Sequence, residues 1–246
     1  MKNYLLVVGV CLLVSTSTSF GELVASYQFE GNYNDSTGNN NGTVYGNTSI
    51  VLDNQRGYVA SFDGNGDYVD CGNDSSLQSS DFSVALWFKS SSWTTVHDSY
   101  NGIISKRDDF FTSMNWEIYY DGNHDEIRTM TNNQFALFQY DNINPTLNTW
   151  HHLAFTKFGT EAKMYIDGIL KSTDVTNEVL STDATLRIGI IGLDRTYQGF
   201  DGYLDDVRIY DNALSSQEVT QLIPEPATLA IMAMGALILK KKKINN

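Results

Sequence analysis

The sequence predicts an all-β fold for the residues between its two ends. No helical period of apolar residues is sustained between residues 22 and 208. Short runs there alternate apolar and polar residues, which is the pattern of strands that bury one face. Clusters of Gly, Asn, Asp and Ser separate the runs and supply the turns. Many short strands joined by polar turns are typical of an antiparallel sandwich or a barrel.

Individual strands can be assigned along the chain. Residues 23–29 open the predicted domain as a strand, and residues 83–88 and 185–190 give two more. Residues 32–47 are rich in Asn and Gly, so they are predicted to form a loop. The sequence therefore predicts strands spread over the whole length of the domain.

The clearest local signal is a hairpin. Residues 161–166 and 169–172 flank Asp167-Gly168, a pair suited to the positive φ angles of a two-residue type I′ turn. Residues 151–158 lie just upstream and are predicted to pair with this hairpin as a meander.

One short helix is predicted, at residues 215–222. Ser215 is a suitable N-cap, and Glu218 follows three residues later, as in a capping box. This helix is the C-terminal element of the predicted domain.

The N-terminus has the three parts of a signal peptide. Lys2 supplies the positive charge, residues 4–14 are apolar, and Ser19 and Gly21 are small residues at the positions that signal peptidase reads. We expect cleavage after Gly21, so that residues 1–21 are removed on export.

The C-terminal segment, residues 223–246, predicts a membrane-directed tail. Pro224-Glu225-Pro226 precede a small and apolar run at residues 227–239, which is followed by four lysines. The run is shorter than the roughly 20 residues of a full span, but flanking lysines can keep their charge among the headgroups. The sequence therefore predicts a short C-terminal membrane helix.

This order of motif, apolar helix and lysine cluster resembles the PEP-CTERM tails that exosortases process in Gram-negative bacteria. The resemblance implies a precursor held in the inner membrane, cut near Pro224, Glu225 and Pro226, and then placed at the cell surface or in the extracellular matrix. Its implied partners are signal peptidase, an exosortase-type enzyme and, transiently, the inner membrane. The alternative is a permanent C-terminal anchor.

The charge balance excludes one class of partner. The chain has 16 basic and 29 acidic residues, and the predicted domain at residues 22–222 keeps 11 and 28 of them, a net charge of −17. Affinity for nucleic acid comes from lysine and arginine, so no nucleic-acid partner is predicted. The acidity suits a secreted protein that holds divalent cations or that needs solubility.

Cysteine is scarce. Cys11 lies in the predicted leader, so Cys71 is alone and no internal disulfide can form in the domain. Cys71 follows an apolar–polar alternation, which predicts a buried, inert thiol.

Six short phrases along the domain carry a family resemblance. They are Tyr-Gln-Phe-Glu-Gly-Asn (27–32) with Asp35, Phe-Asp-Gly (62–64) with Asp-Tyr-Val (67–69), Phe-Ser-Val-Ala-Leu-Trp (82–87), Trp-His-His-Leu-Ala (150–154), Tyr-Ile-Asp-Gly (165–168) and Gly-Tyr-Leu-Asp-Asp-Val-Arg-Ile-Tyr (202–210). In this order they resemble the LamG-like jelly roll of the concanavalin A-like lectin/glucanase superfamily, over residues 22–222. The resemblance implies a two-sheet antiparallel sandwich with adjacent first and last strands.

Calcium is the cofactor that the resemblance implies. Asp205 matches a last-strand ligand of related glucanases, and the neighbourhoods of Glu30 and Gly64, with Asp63, would supply the remaining oxygens. Asp63-Gly-Asn65-Gly-Asp67 spaces its oxygens like an EF-hand loop, but Tyr68 stands where that loop needs glycine. The EF-hand is therefore rejected. The alternative role for Asp205 is to cap backbone amides.

His151 and His152 are adjacent and look like metal ligands. Neighbours on a strand project to opposite faces, so the two rings cannot hold one ion together. They are therefore predicted to pack and to form hydrogen bonds.

No catalytic residue is predicted. Related glucanases need two carboxylates on one face of a strand, whereas Tyr119 stands where a second acid should follow Glu117. Asp125 and Glu126 are neighbours that point apart in an extended chain. We therefore expect a protein that is not an enzyme, with a polysaccharide hydrolase or lyase as a minor alternative.

Aromatic residues between 90 and 140 favour binding. Sugars stack on aromatic rings while amides and carboxylates take their hydroxyl groups. The candidate ligand-binding residues are Trp93, in a polar run that suggests exposure, and Tyr100, Trp116 and Tyr119. The predicted partner is an extracellular or envelope polysaccharide. The alternative is a structural or adhesive matrix protein that binds other proteins or its own copies.

Overall fold

The computed structural model describes residues 21–93, 100–109, 113–131, 145–176 and 183–223. These residues form fourteen strands, one short α-helix and two 3-10 helices, Ser75–Leu77 and Leu193–Arg195. The strands are β1 Leu23–Tyr27, β2 Thr43–Tyr45, β3 Ser49–Asp53, β4 Gly57–Asp63, β5 Tyr68–Asp70, β6 Phe82–Ser90, β7 Tyr100–Asp109, β8 Ser113–Asp121, β9 Glu126–Thr131, β10 His151–Phe158, β11 Glu161–Ile166, β12 Ile169–Val175, β13 Leu186–Ile188 and β14 Asp201–Tyr210, and the helix is α1 Ser216–Gln221. The predicted leader and tail lie outside the described residues, apart from Gly21 and Ile223.

The strands form two antiparallel sheets, which confirms the predicted sandwich. The eight-stranded sheet has the order β12-β11-β10-β6-β14-β4-β3, and β1 also pairs with β14. The six-stranded sheet has the order β2-β5-β13-β7-β8-β9. Apolar side chains from the inner faces of both sheets make one large core, with members such as Tyr27, Leu86, Ile118 and Leu153.

The first and last strands are adjacent, as expected. Ala25 lies opposite Ile209 and Tyr27 lies opposite Val207 in the β1–β14 pair. Strand β1 is shorter than predicted because Phe29 has a φ of 53°, which leaves the extended region.

The predicted hairpin and helix are both confirmed. Asp167 and Gly168 have φ angles of 52° and 75°, as a type I′ turn between β11 and β12 requires. Ser215 caps α1, and Glu218 returns a hydrogen bond to the backbone of Ser215. Strand β10 has the bounds predicted for the meander strand.

The predicted loop at residues 32–47 is partly wrong. Thr43–Tyr45 form β2, because they find a partner in β5, with Val44 opposite Val69. That partner is remote in sequence, so local composition did not indicate the strand.

Cys71 is a buried, free thiol, as predicted. Burial raises its pKa to about 12, so the reactive thiolate does not form at neutral pH. Within the described part of the chain, no helix is long and apolar enough to cross a membrane.

Candidate functional site

The candidate site is a pocket on the outer face of the six-stranded sheet, which we call the Tyr119 pocket. It has a volume of about 250 Å³. Its lining residues are Tyr100, Arg107, Glu117, Tyr119, Arg128, Met130, Ile191, Arg195 and Gln198. Strands β7, β8 and β9 form its floor, and the segment after β13 forms one wall.

The alternation of strand side chains explains the floor. Trp116, Ile118 and Tyr120 point from β8 into the core between the sheets, so Glu117 and Tyr119 point to the opposite face. In the β8–β9 pair, Glu117 lies opposite Met130 and Tyr119 lies opposite Arg128. The same register therefore presents four pocket residues side by side.

The wall depends on a close approach of two backbones. The amide of Gly102 on β7 donates to the carbonyl oxygen of Gln198 at 3.0 Å. A Cβ at Gly102 would overlap the backbone nitrogen of Ile191. Only glycine lets residues 190–198 lie this close to β7, and this contact places Ile191, Arg195 and Gln198 beside the floor.

Arg107 links the floor to the wall. Its Nη1 donates to Oε2 of Glu117 at 2.6 Å, and its Nη2 donates to Oδ2 of Asp194 at 2.7 Å. Arg107 and Glu117 are both almost fully buried. Burial raises the pKa of Glu117 to about 7, although the Arg107 guanidinium opposes this shift.

The other two arginines of the pocket, Arg128 and Arg195, also lie near carboxylates. Arg128 makes ion pairs with Asp121 at 2.8 Å and with Glu126 at 2.5 Å. Nε of Arg195 lies 3.9 Å from Oδ2 of Asp194, and the Arg195 side chain is more exposed than those of Arg107 and Arg128. Each arginine of the pocket therefore has a carboxylate nearby.

Apolar and aromatic groups complete the pocket. Tyr119, Met130 and Ile191 form a small buried cluster with Tyr100 packed against it. The rings of Tyr100 and Tyr119 meet edge to face, with centroids 5.7 Å apart. Tyr100 is only partly buried, so its ring is the aromatic surface that a ligand can reach.

Two of the four predicted ligand-binding residues line the pocket and two do not. Tyr100 and Tyr119 both line the pocket. Trp116 lies in the core and stacks on Phe82, with centroids 5.2 Å apart. It is therefore on the wrong face of β8 for the pocket.

The predicted exposure of Trp93 is wrong. Its side chain is 7 % exposed because it stacks on Tyr120 at a centroid distance of 4.1 Å. Its Nε1 donates to the carbonyl oxygen of Pro145. Trp93 therefore packs in the core between the sheets and does not line the Tyr119 pocket.

The charged half of the site is not predictable from local sequence patterns. No motif marks Arg107, Arg128 or Arg195 as binding residues. Glu117 and Tyr119 are two positions apart on a strand, so the sequence alone predicts that they share one face of the sheet. The arginines come from two other strands and a wall segment, so their convergence needed the sheet order.

The predicted metal ligands are not brought together. Asp201 pairs with Asp63 and Leu204 pairs with Ala60, which leaves Asp205 about four residues, or roughly 13 Å, along the strand from the level of Asp63. Oδ2 of Asp67 accepts the amide of Asp63 at 2.8 Å. Calcium at these residues stays a prediction that this arrangement does not favour.

The predicted ligands divide between the two ends of β4. Gly64 lies beside Asp201, at the end that holds Asp63, whereas Glu30 lies beside Gly57, at the end where Arg56 binds Asp205. Among the residues that the structure describes, no group of three or more His, Cys, Asp or Glu side chains is placed to hold a metal ion.

Asp205 instead holds Arg56, whose Nε donates to its Oδ2 at 2.6 Å. Arg56 lies over the ring of Trp87 at 4.3 Å and near that of Trp150 at 5.4 Å. A guanidinium already occupies the cation position at Asp205, so the carboxylate does not fit a metal site there.

The two adjacent histidines project to opposite faces, as expected. His151 contacts the ring of Phe88 on the core side, and its Nδ1 lies 2.8 Å from Oδ2 of Asp167. His152 contacts the ring of Trp87 on the outer face. Burial lowers the pKa of His152 to about 4.

The two acids considered for catalysis have separate partners. Tyr120 donates a short hydrogen bond to Asp125, and Glu126 binds Arg128. Glu117 is the carboxylate that lines the Tyr119 pocket among the described residues, and Arg107 lies against it.

The sequence of the domain matches a known protein family. Residues 63–220 match the Laminin_G_3 family, described as the concanavalin A-like lectin/glucanases superfamily. The chain belongs to this superfamily. The match covers more than half of the chain and agrees with the two-sheet sandwich. No curated protein sequence matches the chain.

Solved structures share the superfamily fold. Domain 4 of AbnA, a GH43 extracellular arabinanase from Geobacillus stearothermophilus solved in complex with arabinotriose, is 24% identical with a TM-score of 0.59, over 83% of this chain and 99% of that one. The binding domain of Paraclostridial Mosquitocidal Protein 1 is 20% identical with a TM-score of 0.61. The botulinum neurotoxin serotype D binding domain is 20% identical with a TM-score of 0.59. For both toxin domains the match covers 81% of this chain and 51% of theirs.

Proposed function

We propose that this superfamily member is a non-catalytic carbohydrate-binding module that takes a glycan of the cell envelope or extracellular matrix into the Tyr119 pocket. The observation that carries the proposal is the composition of the pocket. It combines a reachable tyrosine ring, Tyr100, with planar arginine–carboxylate pairs on one sheet face. The arabinotriose complex of the AbnA domain supports the proposal by fold-level analogy only.

The pocket has the chemistry that sugars need. The partly buried ring of Tyr100 offers a surface for the apolar face of a sugar. Guanidinium groups donate and carboxylates accept, so neighbouring hydroxyl groups can each find a partner. The volume of 250 Å³ equals about eight water molecules at roughly 30 Å³ each, which a sugar ring would displace.

The test is a binding measurement on the full chain. A glycan array identifies ligands, and calorimetry then compares the wild type with Tyr100→Ala. We expect Tyr100→Ala to weaken binding at least about fivefold, since ring stacking is worth roughly 1 kcal/mol or more. Tyr58→Ala is the matched control, because Tyr58 is exposed and lies in the other sheet. Equal affinities for Tyr100→Ala and wild type would reject the pocket as the glycan site.

Binding without turnover is the second part of the proposal. Hydrolysis of a glycosidic bond uses two carboxyl groups about 5–10 Å apart, one of them free to act as nucleophile or base. Glu117 is instead engaged by Arg107 at 2.6 Å. We expect no release of reducing ends from any bound polysaccharide, and release that Glu117→Gln abolishes would establish an enzyme.

A structural or adhesive role is the second candidate. The edge strand β12 exposes two large apolar side chains, Ile169 at 61% and Val175 at 76%, and Phe158, at the end of β10, is 68% exposed. Apolar side chains on a sheet edge favour pairing with another chain. If the edge self-associates, Val175→Lys should shift the full chain from dimer to monomer in analytical ultracentrifugation, whereas a wild-type monomer would reject this candidate.

We also propose that the protein is exported and that its tail directs processing. The sequence motifs at residues 1–21 and 223–246 support this. Mass spectrometry of protein from the producing cell should show loss of the leader and cleavage near Pro224-Glu225-Pro226. An intact C-terminus in the mature protein would indicate a permanent anchor instead.

A further inference from the structure

We propose that the Tyr119 pocket selects an uncharged sugar and rejects the uronic acid of the same sugar, because the carboxylates around the pocket cancel the charge of its arginines. This inference rests on the proposed function and specifies the ligand class of the same site. The lining residues by themselves would predict the opposite preference, for an acidic sugar.

The lining alone looks cationic. Three arginines line the pocket, Arg107, Arg128 and Arg195, against one carboxylate, Glu117. An acidic sugar would be the simple expectation from this lining, because guanidinium groups bind carboxylates in a bidentate manner.

The ion pairs reverse this expectation. Arg107 binds Glu117 at 2.6 Å and Asp194 at 2.7 Å. Arg128 binds Asp121 at 2.8 Å and Glu126 at 2.5 Å. The two arginines of the floor are therefore held by four carboxylates.

Arg195 adds the third positive charge without restoring the excess. Its nearest carboxylate in the described part of the chain is Asp194 at 3.9 Å, which Arg107 already binds. Among the described residues, three guanidinium groups thus face four carboxyl groups, so with every group ionised these seven groups carry one net negative charge.

A uronate would enter this pocket at a disadvantage. Its carboxylate would leave water and meet arginines whose charge is already balanced by close carboxylates. An uncharged sugar has no such cost, because its hydroxyl groups need only the remaining donor and acceptor positions of the same pairs. The pocket therefore distinguishes the two by desolvation and repulsion.

Glu117 is the residue that sets this balance from within the pocket. Arg107 from β7 and Asp194 and Arg195 from the wall act on its charge, and Tyr119 and the Arg128–Glu126 pair lie beside it on β8 and β9. Glu117→Gln keeps the shape and removes one negative charge. Asp194→Asn changes the charge in the same direction on a side chain that is 23% exposed, so it provides a second variant if Glu117→Gln fails to fold.

The experiment is calorimetry on the full chain with matched pairs of sugars: glucose with glucuronic acid, galactose with galacturonic acid, and mannose with mannuronic acid. It is run at about pH 8.5, where Glu117 and the uronic acids are ionised, and in about 0.15 M salt, which screens charges beyond roughly 8 Å. For the wild type we expect at least one uncharged sugar to bind about tenfold or more tightly than its uronic acid.

The variants give the decisive comparison. Glu117→Gln or Asp194→Asn should narrow the ratio between sugar and uronic acid at least about threefold. Glu161→Gln is the matched control, because it makes the same charge change at an exposed side chain of β11, in the other sheet, and should leave the ratio unchanged. The wild type at about pH 5.5, where Glu117 is protonated, should behave like Glu117→Gln.

The possible failures are distinguishable. Uronic acids that bind the wild type as tightly as their uncharged partners overturn the charge inference and leave glycan binding intact. A ratio that the pocket variants do not change also overturns it. If neither member of any pair binds and the glycan array is also negative, the proposed function fails and this inference fails with it.

Discussion

Arg56 and Asp205 form a nearly buried ion pair, in which Nε of Arg56 donates to Oδ2 of Asp205 at 2.6 Å. The two residues are 149 positions apart in the chain. Their pair joins the β3–β4 turn to β14, and the Arg56 guanidinium also lies within 5.4 Å of the ring centroids of Trp87 and Trp150. Burial raises the pKa of Asp205 to about 6, and Arg56 opposes this shift.

Removing the guanidinium should be costly. Arg56→Ala leaves the Asp205 carboxylate buried without its cation, so we expect a loss of about 3–5 kcal/mol in the free energy of unfolding at neutral pH. The loss should shrink at about pH 5, where Asp205 becomes protonated and needs no cation. Urea denaturation at the two pH values measures the two losses.

Arg208→Ala is the control, because the ion pair of Arg208 with Asp206 is more exposed, and we expect it to cost about 0–1 kcal/mol in the free energy of unfolding. Equal costs for the two variants would contradict this account.

The same pair bears on the calcium prediction. A divalent cation at Asp205 would have to displace Arg56 or share the carboxylate with it. We therefore expect excess EDTA to leave the melting temperature of the wild type unchanged, and Asp205→Ala to lower it equally with and without EDTA. Differential scanning fluorimetry gives the comparison. A drop of several degrees with EDTA in the wild type, absent from Asp205→Ala, would restore the sequence-based assignment.

Local signals predicted the elements well. The Asp167-Gly168 turn and the Ser215–Glu218 capping box depend on residues a few positions apart, so the local sequence alone specifies them. The strand pattern also gave the correct fold class, because alternation reports which face of a strand is buried.

The site was only half predictable for a physical reason. Tyr100 and Tyr119 were found because aromatic content is visible in the sequence. The exposure of Trp93 was misjudged because its burial depends on Tyr120, from a different strand, and not on its polar neighbours. The Arg107–Asp194 and Arg56–Asp205 pairs span 87 and 149 residues, so only the sheet order reveals them.

His152 should make the fold sensitive to acid. Burial lowers its pKa to about 4, whereas an unfolded histidine titrates near 6.5. Between these values the unfolded chain binds a proton that the native protein does not, so stability falls as pH drops from about 6.5 to 4. The loss from this one group should reach about 3 kcal/mol. His152→Phe should remove that part of the pH dependence in urea denaturation, and His124→Gln, at an exposed histidine, should not. Parallel pH profiles for wild type and His152→Phe would show that burial does not hold His152 neutral.

Gly102 should control binding through the wall of the Tyr119 pocket. A methyl group there would overlap the backbone of Ile191, so Gly102→Ala must push residues 190–198 away from β7. Because Ile191, Arg195 and Gln198 line the pocket, we expect Gly102→Ala to weaken glycan binding at least about tenfold, as misplaced binding groups do. Gly159→Ala is a matched control. Gly159 has a φ of 55° with open space around it, so alanine there should cost about 1 kcal/mol in stability and leave calorimetric affinity unchanged. If Gly102→Ala instead loses stability while the folded fraction keeps full affinity, the wall formed by residues 190–198 takes no part in ligand binding, and only the floor of β7, β8 and β9 does.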